Sequence, residues 1–136
     1  RGRWRVPGPD QHHAGVQVLA LEPRLRWLPY RHEALAAAGN LAFGAGRLDV
    51  ALRCFAGALD LAERPEYRFD VGMVLLALGD RAPGLESLMA AVKLNPAVFA
   101  KVERPELART LRLRLDADGY GARHSWMYEG TPAATP

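Results

Sequence analysis

Residues 35–61 read LAAAGNLAFGAGRLDVALRCFAGALDL, and residues 68–94 read RFDVGMVLLALGDRAPGLESLMAAVKL. When one stretch is shifted by 33 residues, glycines align with glycines and apolar residues with apolar residues. The aligned pairs are Gly39 with Gly72, Ala42 with Leu75, Phe43 with Leu76, Gly46 with Gly79, Leu52 with Leu85, Phe55 with Leu88, Ala58 with Ala91, Leu59 with Val92 and Leu61 with Leu94. So many pairs in one register indicate an internal repeat.

Each copy of the repeat has the pattern of a helical hairpin. Apolar residues recur every three or four positions, as on one face of an α-helix, and the pattern is interrupted at Gly46-Arg47 and at Gly79-Asp80. Pro83 suits the first turn of a helix, and Asn95-Pro96 ends the last one. We therefore predict an all-α chain with helices near residues 33–46, 48–62, 66–79 and 83–94.

The spacing of the small and large residues resembles that of tetratricopeptide repeats, which read large-x-x-Leu-Gly-x-x-Tyr, Ala-x-x-x-Phe and then Pro. The first copy reads Leu35-x-x-Ala38-Gly39-x-x-Ala42, Ala51-x-x-x-Phe55, Ala58 and Pro65, and the second reads Arg68-x-x-Val71-Gly72-x-x-Leu75, Gly84-x-x-x-Leu88, Ala91 and Pro96. The resemblance covers about residues 32–96. It implies a right-handed α-solenoid of about two to three hairpins with capping helices.

Three features depart from the tetratricopeptide pattern. Arg68 replaces a large apolar residue, Ala42 and Leu75 replace the aromatic of the first helix, and the period is 33 residues, where about 34 is typical. A period of 33 also suits ankyrin repeats, but the Thr-Pro-Leu-His segment of that family is missing. The small residues predict close crossings within the hairpins, with Gly39 facing Ala51 and Gly72 facing Gly84.

The repeat pattern divides the chain into five segments. Residues 98–116 start like a third repeat, but Pro105 interrupts them, and apolar residues at 107, 111 and 115 then predict a capping helix. The segments are a basic N-terminal segment at 1–31 with a short helix after Asp10 (a possible degenerate half repeat), repeats at 32–64 and 65–97, the partial repeat and cap at 98–116, and an extended C-terminal tail at 117–136.

The composition is that of a soluble globular chain, with 49% hydrophobic and 24% charged residues among 136. Of the 18 basic residues, 16 are arginine, and the first 31 residues carry a net charge of +4. This usage, with abundant Ala, Gly and Leu, is also typical of a bacterial-like GC-rich genome. Because the chain begins with Arg1 in place of Met, we expect a processed or partial chain.

No uncharged stretch approaches the roughly 20 apolar residues that span a bilayer, so we expect no membrane span. A single cysteine, Cys54, cannot form an internal disulfide. Nothing in the chain points to an oxidising compartment, which favours the cytoplasm and leaves the periplasm open.

Few side chains suit catalysis or metal binding. Cys54 lies beside core positions of a helix, His124-Ser125 has no third residue to orient the histidine, and His12-His13 has no further ligand at metal-binding spacing. Gly39-x-x-x-x-Gly44 lacks the Lys and Ser or Thr of a phosphate loop. We expect no catalytic residue, metal site or cofactor.

The resemblance implies that the first helices of successive hairpins line a concave face, across which a segment of a partner protein lies. The residues that it places there are Glu33, Asn40, Phe43, Glu66, Phe69, Asp70, Met73 and Leu76. Phe43 and Leu76 are equally well explained as core between repeats. Asn40 matches the asparagine of carboxylate-clamp members, but Ala36 and Asp70 replace a Lys and an Asn of that clamp, so we do not expect one.

These features predict a non-catalytic adaptor or scaffold subunit that binds protein partners within a larger complex, through the concave face and its tails. One alternative is a regulatory segment of a larger enzyme. A less favoured one is a basic, nucleic-acid-associated repeat protein, because aromatic residues interleave with the arginines only at Arg3-Trp4-Arg5 and Arg26-Trp27. We expect no small-molecule substrate.

Overall fold

The computed structural model describes residues 31–131, which are 82% helical and contain no strand. The prediction of an all-α chain is therefore confirmed for these residues. The α-helices are α1 (Arg31–Gly44), α2 (Leu48–Leu61), α3 (Pro65–Leu78), α4 (Arg81–Leu94), α5 (Pro105–Ala117) and the short α6 (Tyr120–Arg123). Two short 3-10 helices span Pro96–Lys101 and Ser125–Tyr128.

The helices pack in chain order. Helix α1 packs against α2, α3 packs against α4, and α2 also contacts α3, as expected for consecutive hairpins. The ends of α1–α4 lie within two residues of the predicted positions. Helix α1 ends at Gly44 because the chain turns at Gly46, whose φ of 79° is left-handed. Helix α4 starts at Arg81, which leaves Pro83 in its first turn.

Glycine allows close crossing in the second hairpin. A Cβ atom on Gly72 would lie 2.9 Å from the carbonyl oxygen of Gly84 and 2.8 Å from Cγ of Leu88, so the approach predicted for Gly72 and Gly84 is confirmed. In the first hairpin the atoms nearest to a Cβ on Gly39 belong to the ring of Phe55 and not to Ala51, the residue expected opposite it, and Ala51 is fully buried on α2. The two crossings are equivalent in the repeat, because Gly39 aligns with Gly72 and Phe55 aligns with Leu88 at a shift of 33 residues.

Three clusters of buried residues form the core. The largest joins α4, α5 and both 3-10 helices, and includes the predicted capping positions Leu107, Leu111 and Leu115. A second joins α1, α2 and Val74 of α3, and consists mainly of small side chains. The third is a small group of Leu35, Ala58 and Tyr67.

The C-terminal segment differs from the predicted extended tail. After α5 the chain turns at Gly119, with φ of 84°, and folds back so that Met127 and Tyr128 are buried. The Tyr128 ring packs edge-on against Phe99 at 4.9 Å between centroids, and its hydroxyl donates to Asp116 at 3.2 Å. Of the glycines that favour an extended tail, Gly119 makes the turn and Gly121 is buried within α6, and residues 119–128 cover the end of the helical array.

The region expected to start a third repeat also differs in detail. Residues 96–101 form a 3-10 helix whose first turn is capped by the Asn95 side chain, which accepts from the main-chain N–H of Ala97 at 3.1 Å. Pro96 and Pro105 each occupy a first helical position, so each proline starts an element.

Several predictions fall outside the described residues. They are the basic segment before Arg31 with its short helix after Asp10, the His12-His13 pair, and the last part of the tail from Pro132. Within residues 31–131, no helix is both long and apolar enough to cross a bilayer.

Candidate functional site

A cavity of about 210 Å³ lies between α1 and α3. Its lining is apolar except for one amide and one carboxyl group. We call it the α1–α3 groove, and it is lined by Asn40, Phe43, Phe55, Phe69, Asp70, Met73 and Val74.

Helical spacing brings the lining side chains of each helix to one face. Asn40 and Phe43 are three residues apart on α1, and Asp70 and Val74 are four apart on α3. Phe55 of α2 reaches the groove because Gly39 has no side chain, and the phenyl ring occupies the space where a Cβ would stand. Phe55 is buried, so its ring forms the base of the groove, whereas Phe43 at its edge is 39% exposed.

Among the described residues that line the groove, Asp70 is the only charged one. Its carboxyl group is half-buried, and loss of hydration raises its pKa to about 6, from an ordinary value of 3.8. Lys101 on the 3-10 helix counteracts this effect, whereas Glu66 one turn earlier on α3 adds to it. The groove therefore places a poorly hydrated carboxyl group among aromatic and aliphatic side chains.

Five of the eight residues predicted for the concave face line this groove: Asn40, Phe43, Phe69, Asp70 and Met73. Glu66 is exposed one turn away on α3. Glu33 lies at the N-terminal end of α1, where its Oε1 is 3.5 Å from Nε2 of His32. His32 and the Tyr67 hydroxyl are hydrogen-bonded at 2.8 Å, which ties the first turns of α1 and α3 together.

Leu76 lies in a different cavity, of about 290 Å³, between the α3–α4 turn and the start of α5. Its side chain also packs against Gly84, where a Cβ would lie 2.9 Å from Leu76 Cγ. Leu76 thus packs within the second hairpin, which is neither the concave face nor the core between repeats that the sequence suggests for it. The other residues around this cavity are Gly79, Arg81, Arg104, Glu106, Leu107 and Thr110.

Sequence reasoning missed two residues that line the groove, Phe55 and Val74, and one charged residue that acts on Asp70 from outside it, Lys101. Phe55 was expected only in the hairpin core, and Val74 was not considered, although its spacing of four from Asp70 was a usable signal. Lys101 was missed because its position relative to Asp70 depends on the 3-10 helix, which local periodicity does not predict.

The side chains considered for catalysis have structural surroundings. Cys54 is buried, and burial raises the pKa of its thiol to about 11. Its repeat equivalent Ser87 donates to the carbonyl oxygen of Arg68 at 2.7 Å. His124 donates through Nδ1 to the carbonyl oxygen of Tyr120 at 2.9 Å and stacks on the Tyr120 ring. In the described part of the chain, no group of three or more His, Cys, Asp or Glu could hold a metal ion.

No protein-family model, curated protein or solved structure matches the chain. The class of ligand that suits the α1–α3 groove must therefore follow from its own side chains.

Proposed function

We propose that this chain is a non-catalytic adaptor or scaffold subunit that binds a segment of a partner protein in the α1–α3 groove. The observation that carries the proposal is the clustering of Asn40, Phe43, Phe69, Asp70 and Met73, from two separate helices, around one cavity. Aromatic residues and methionine are favoured at protein-binding surfaces, because they offer large contact areas and adaptable packing.

The shape of the groove favours a peptide over a small metabolite. Small-molecule pockets usually enclose about 300–1,000 Å³, whereas the groove has about 210 Å³. Its lining comes mainly from the neighbouring helices α1 and α3, with Phe55 of α2 at the base, and helical arrays receive a helix or an extended segment between neighbouring helices in this way.

The proposal extends to the type of array. A tetratricopeptide-like, right-handed stack would place α1 and α3 side by side on a concave face. The close crossing of Gly72 and Gly84 and the 33-residue register of the two hairpins support this arrangement. Binding through the first helices then follows from the same geometry.

The experiment is a selection of short random peptides, displayed on phage, against the full chain, followed by titration of the enriched peptides. Phe43→Ala should weaken groove-dependent peptides by about 2 kcal/mol, which is typical of a hot-spot aromatic. Leu41→Ala is the matched control, because Leu41 is on the same helix, 62% exposed and outside the groove.

Circular dichroism of both variants would establish that they remain folded. Equal loss of affinity in the two variants, or enriched peptides that bind both as well as the original chain, would contradict the groove as the binding site.

A further inference from the structure

The α1–α3 groove has the size and lining of a pocket for one long side chain. Its volume of about 210 Å³ is too small for a folded element. Phe43, Phe69 and Met73 offer apolar contact, and Asp70 offers a negative charge in the same space. An aliphatic stem with a cationic head matches this combination, because such side chains bury the stem and direct the charge to a polar site.

We propose that the groove receives a single arginine or lysine side chain of the partner, with Asp70 pairing the cation and Phe43 and Phe69 flanking it. This inference rests on the proposed function, since it specifies the chemistry of the segment that the groove would bind. Phenyl rings contribute further attraction when a cation lies over their faces.

The charges around Asp70 favour a cation from outside. Helices α1 and α2 contribute Asn40, Phe43 and Phe55 to the groove, none of which titrates near neutral pH. The charged groups that act on Asp70 are Glu66 on α3 and Lys101 on the 3-10 helix. Lys101 lies close enough to favour the ionised form of Asp70, yet the two are not among the ion pairs of the described residues. The carboxyl group is therefore half-desolvated, and no basic side chain between residues 31 and 131 forms a direct ion pair with it.

A cation bound beside Asp70 makes the affinity depend on pH. The pKa of Asp70 is about 6 in the free protein, and a paired cation lowers it. The complex then requires the ionised carboxylate, so affinity is retained above pH 6 and lost as the pH falls through that value. Between pH 8 and pH 5 we expect about a tenfold loss of affinity.

The test uses the peptides selected on phage, each compared with a version in which arginine is replaced by citrulline, a neutral analogue of nearly the same shape. For the original chain, citrulline should lower the affinity at least tenfold at pH 8. For Asp70→Asn the arginine and citrulline peptides should bind alike, and the pH dependence should disappear. Asn removes the charge and keeps the shape, so this variant is expected to fold.

Glu66→Gln is the matched control, because it removes an exposed carboxylate one turn away on the same helix, outside the groove. We expect it to keep the preference for arginine over citrulline. Peptides that depend on Phe43 but tolerate citrulline would overturn the cation pocket and leave the proposed function standing. If no selected peptide depends on Phe43, the proposed function itself fails.

Discussion

The carboxyl group of Asp70 is half-buried among apolar side chains, and Lys101 does not form one of the ion pairs of the described residues with it. Removing a carboxylate from water without a paired cation destabilises the folded state. The poor hydration of the Asp70 carboxylate suits binding, because a cation from a partner would compensate for the water that the carboxylate has lost. Asp70 thus illustrates how a residue suited to a binding site lowers the stability of the free protein.

Replacing Asp70 by Asn should stabilise the free chain at neutral pH. The pKa of Asp70 is about 6 in the folded protein and 3.8 ordinarily, so protonated Asp70 favours the folded state over the unfolded one. This contribution to the free energy of unfolding is fully present below pH 3.8 and is lost as the pH rises through 6. After allowance for solvent exposure, we expect Asp70→Asn to raise the free energy of unfolding by about 1–2 kcal/mol at pH 8.

Urea unfolding of both proteins at pH 8 and pH 4 would measure the difference. Other carboxyl groups also titrate in this range, but they cancel when the variant is compared with the original chain at each pH. A stability difference that is the same at both values would show that the Asp70 carboxylate is not desolvated.

At the level of single residues, the sequence predicts which side chains share a face of one helix, because that depends only on their spacing along the chain. Asn40 and Phe43 can be assigned to one face from their separation of three, and Asp70 and Met73 likewise. Leu76 has the same spacing from Met73, but packing against Gly84 draws it toward α4. That outcome depends on the distance between two helix axes, which spacing along one helix does not determine.

Among the elements, the crossing of α3 and α4 depends on two glycines. Gly72→Ala should destabilise the protein by about 1–3 kcal/mol, the usual result of overpacking, because its Cβ would lie 2.9 Å from the carbonyl oxygen of Gly84. Backbone atoms cannot move aside as a flexible side chain can. Thermal unfolding of the variant would measure the effect.

Gly57→Ala provides the matched control in the interior of α2. Its Cβ would meet only Leu35 Cδ1, at 3.4 Å, and alanine is favoured over glycine in helices by about 1 kcal/mol. We expect this variant to be as stable as the original chain or more so. If Gly57→Ala lost as much stability as Gly72→Ala, the close crossing of α3 and α4 would not explain the effect of Gly72→Ala.

The C-terminal 3-10 helix should stabilise the array through Tyr128. This residue is buried against Phe99 and also lies beneath Arg112, whose guanidinium is 4.4 Å from the ring centroid. Tyr128→Ala should therefore lower the free energy of unfolding by about 3–5 kcal/mol. Trp126→Ala, two residues earlier and 57% exposed, should change it by less than about 0.5 kcal/mol. Denaturant titration of both variants tests the contrast, and equal effects would contradict a capping role for Tyr128.

The C-terminal cap also shows where prediction from the sequence ends. Helices α1–α5 follow from apolar periodicity and from turn residues such as Gly79 and Pro105, which act locally. Residues 119–128 have too few apolar positions to show a period, and Gly119, Gly121 and Gly130 favour an extended interpretation. Their structure follows from the contact between Tyr128 and Phe99, 29 positions earlier in the sequence, which no local pattern specifies.

Across the whole described chain, the two ends of the helical array differ in the size of their buried side chains. The cluster between α1 and α2 contains Ala38, Ala42, Ala51 and Cys54, with Phe55 as its largest member. The cluster around α4 and α5 is richer in large side chains, namely Leu85, Leu88, Phe99, Leu107, Leu111, Leu115, Met127 and Tyr128. Burial of apolar area contributes about 25 cal/mol per Å², so the second half of the array should be the more stable.

We therefore expect α1 and α2 to open in a partial unfolding reaction while α4 and α5 stay folded, as in arrays where each repeat contacts only its neighbours. Native-state hydrogen exchange in increasing guanidinium chloride would show amides of α1 and α2 exchanging with a lower free energy of opening. Phe55→Ala should lower it further and leave α5 unchanged, whereas Leu111→Ala should lower protection in α4 and α5 and leave the partial opening of α1 and α2 unchanged. A single opening free energy for all helices would contradict this expectation. Because the groove uses side chains from α1, α2 and α3, a peptide bound there should raise the free energy of opening of α1 and α2, by an amount that grows with the logarithm of the peptide concentration divided by its Kd.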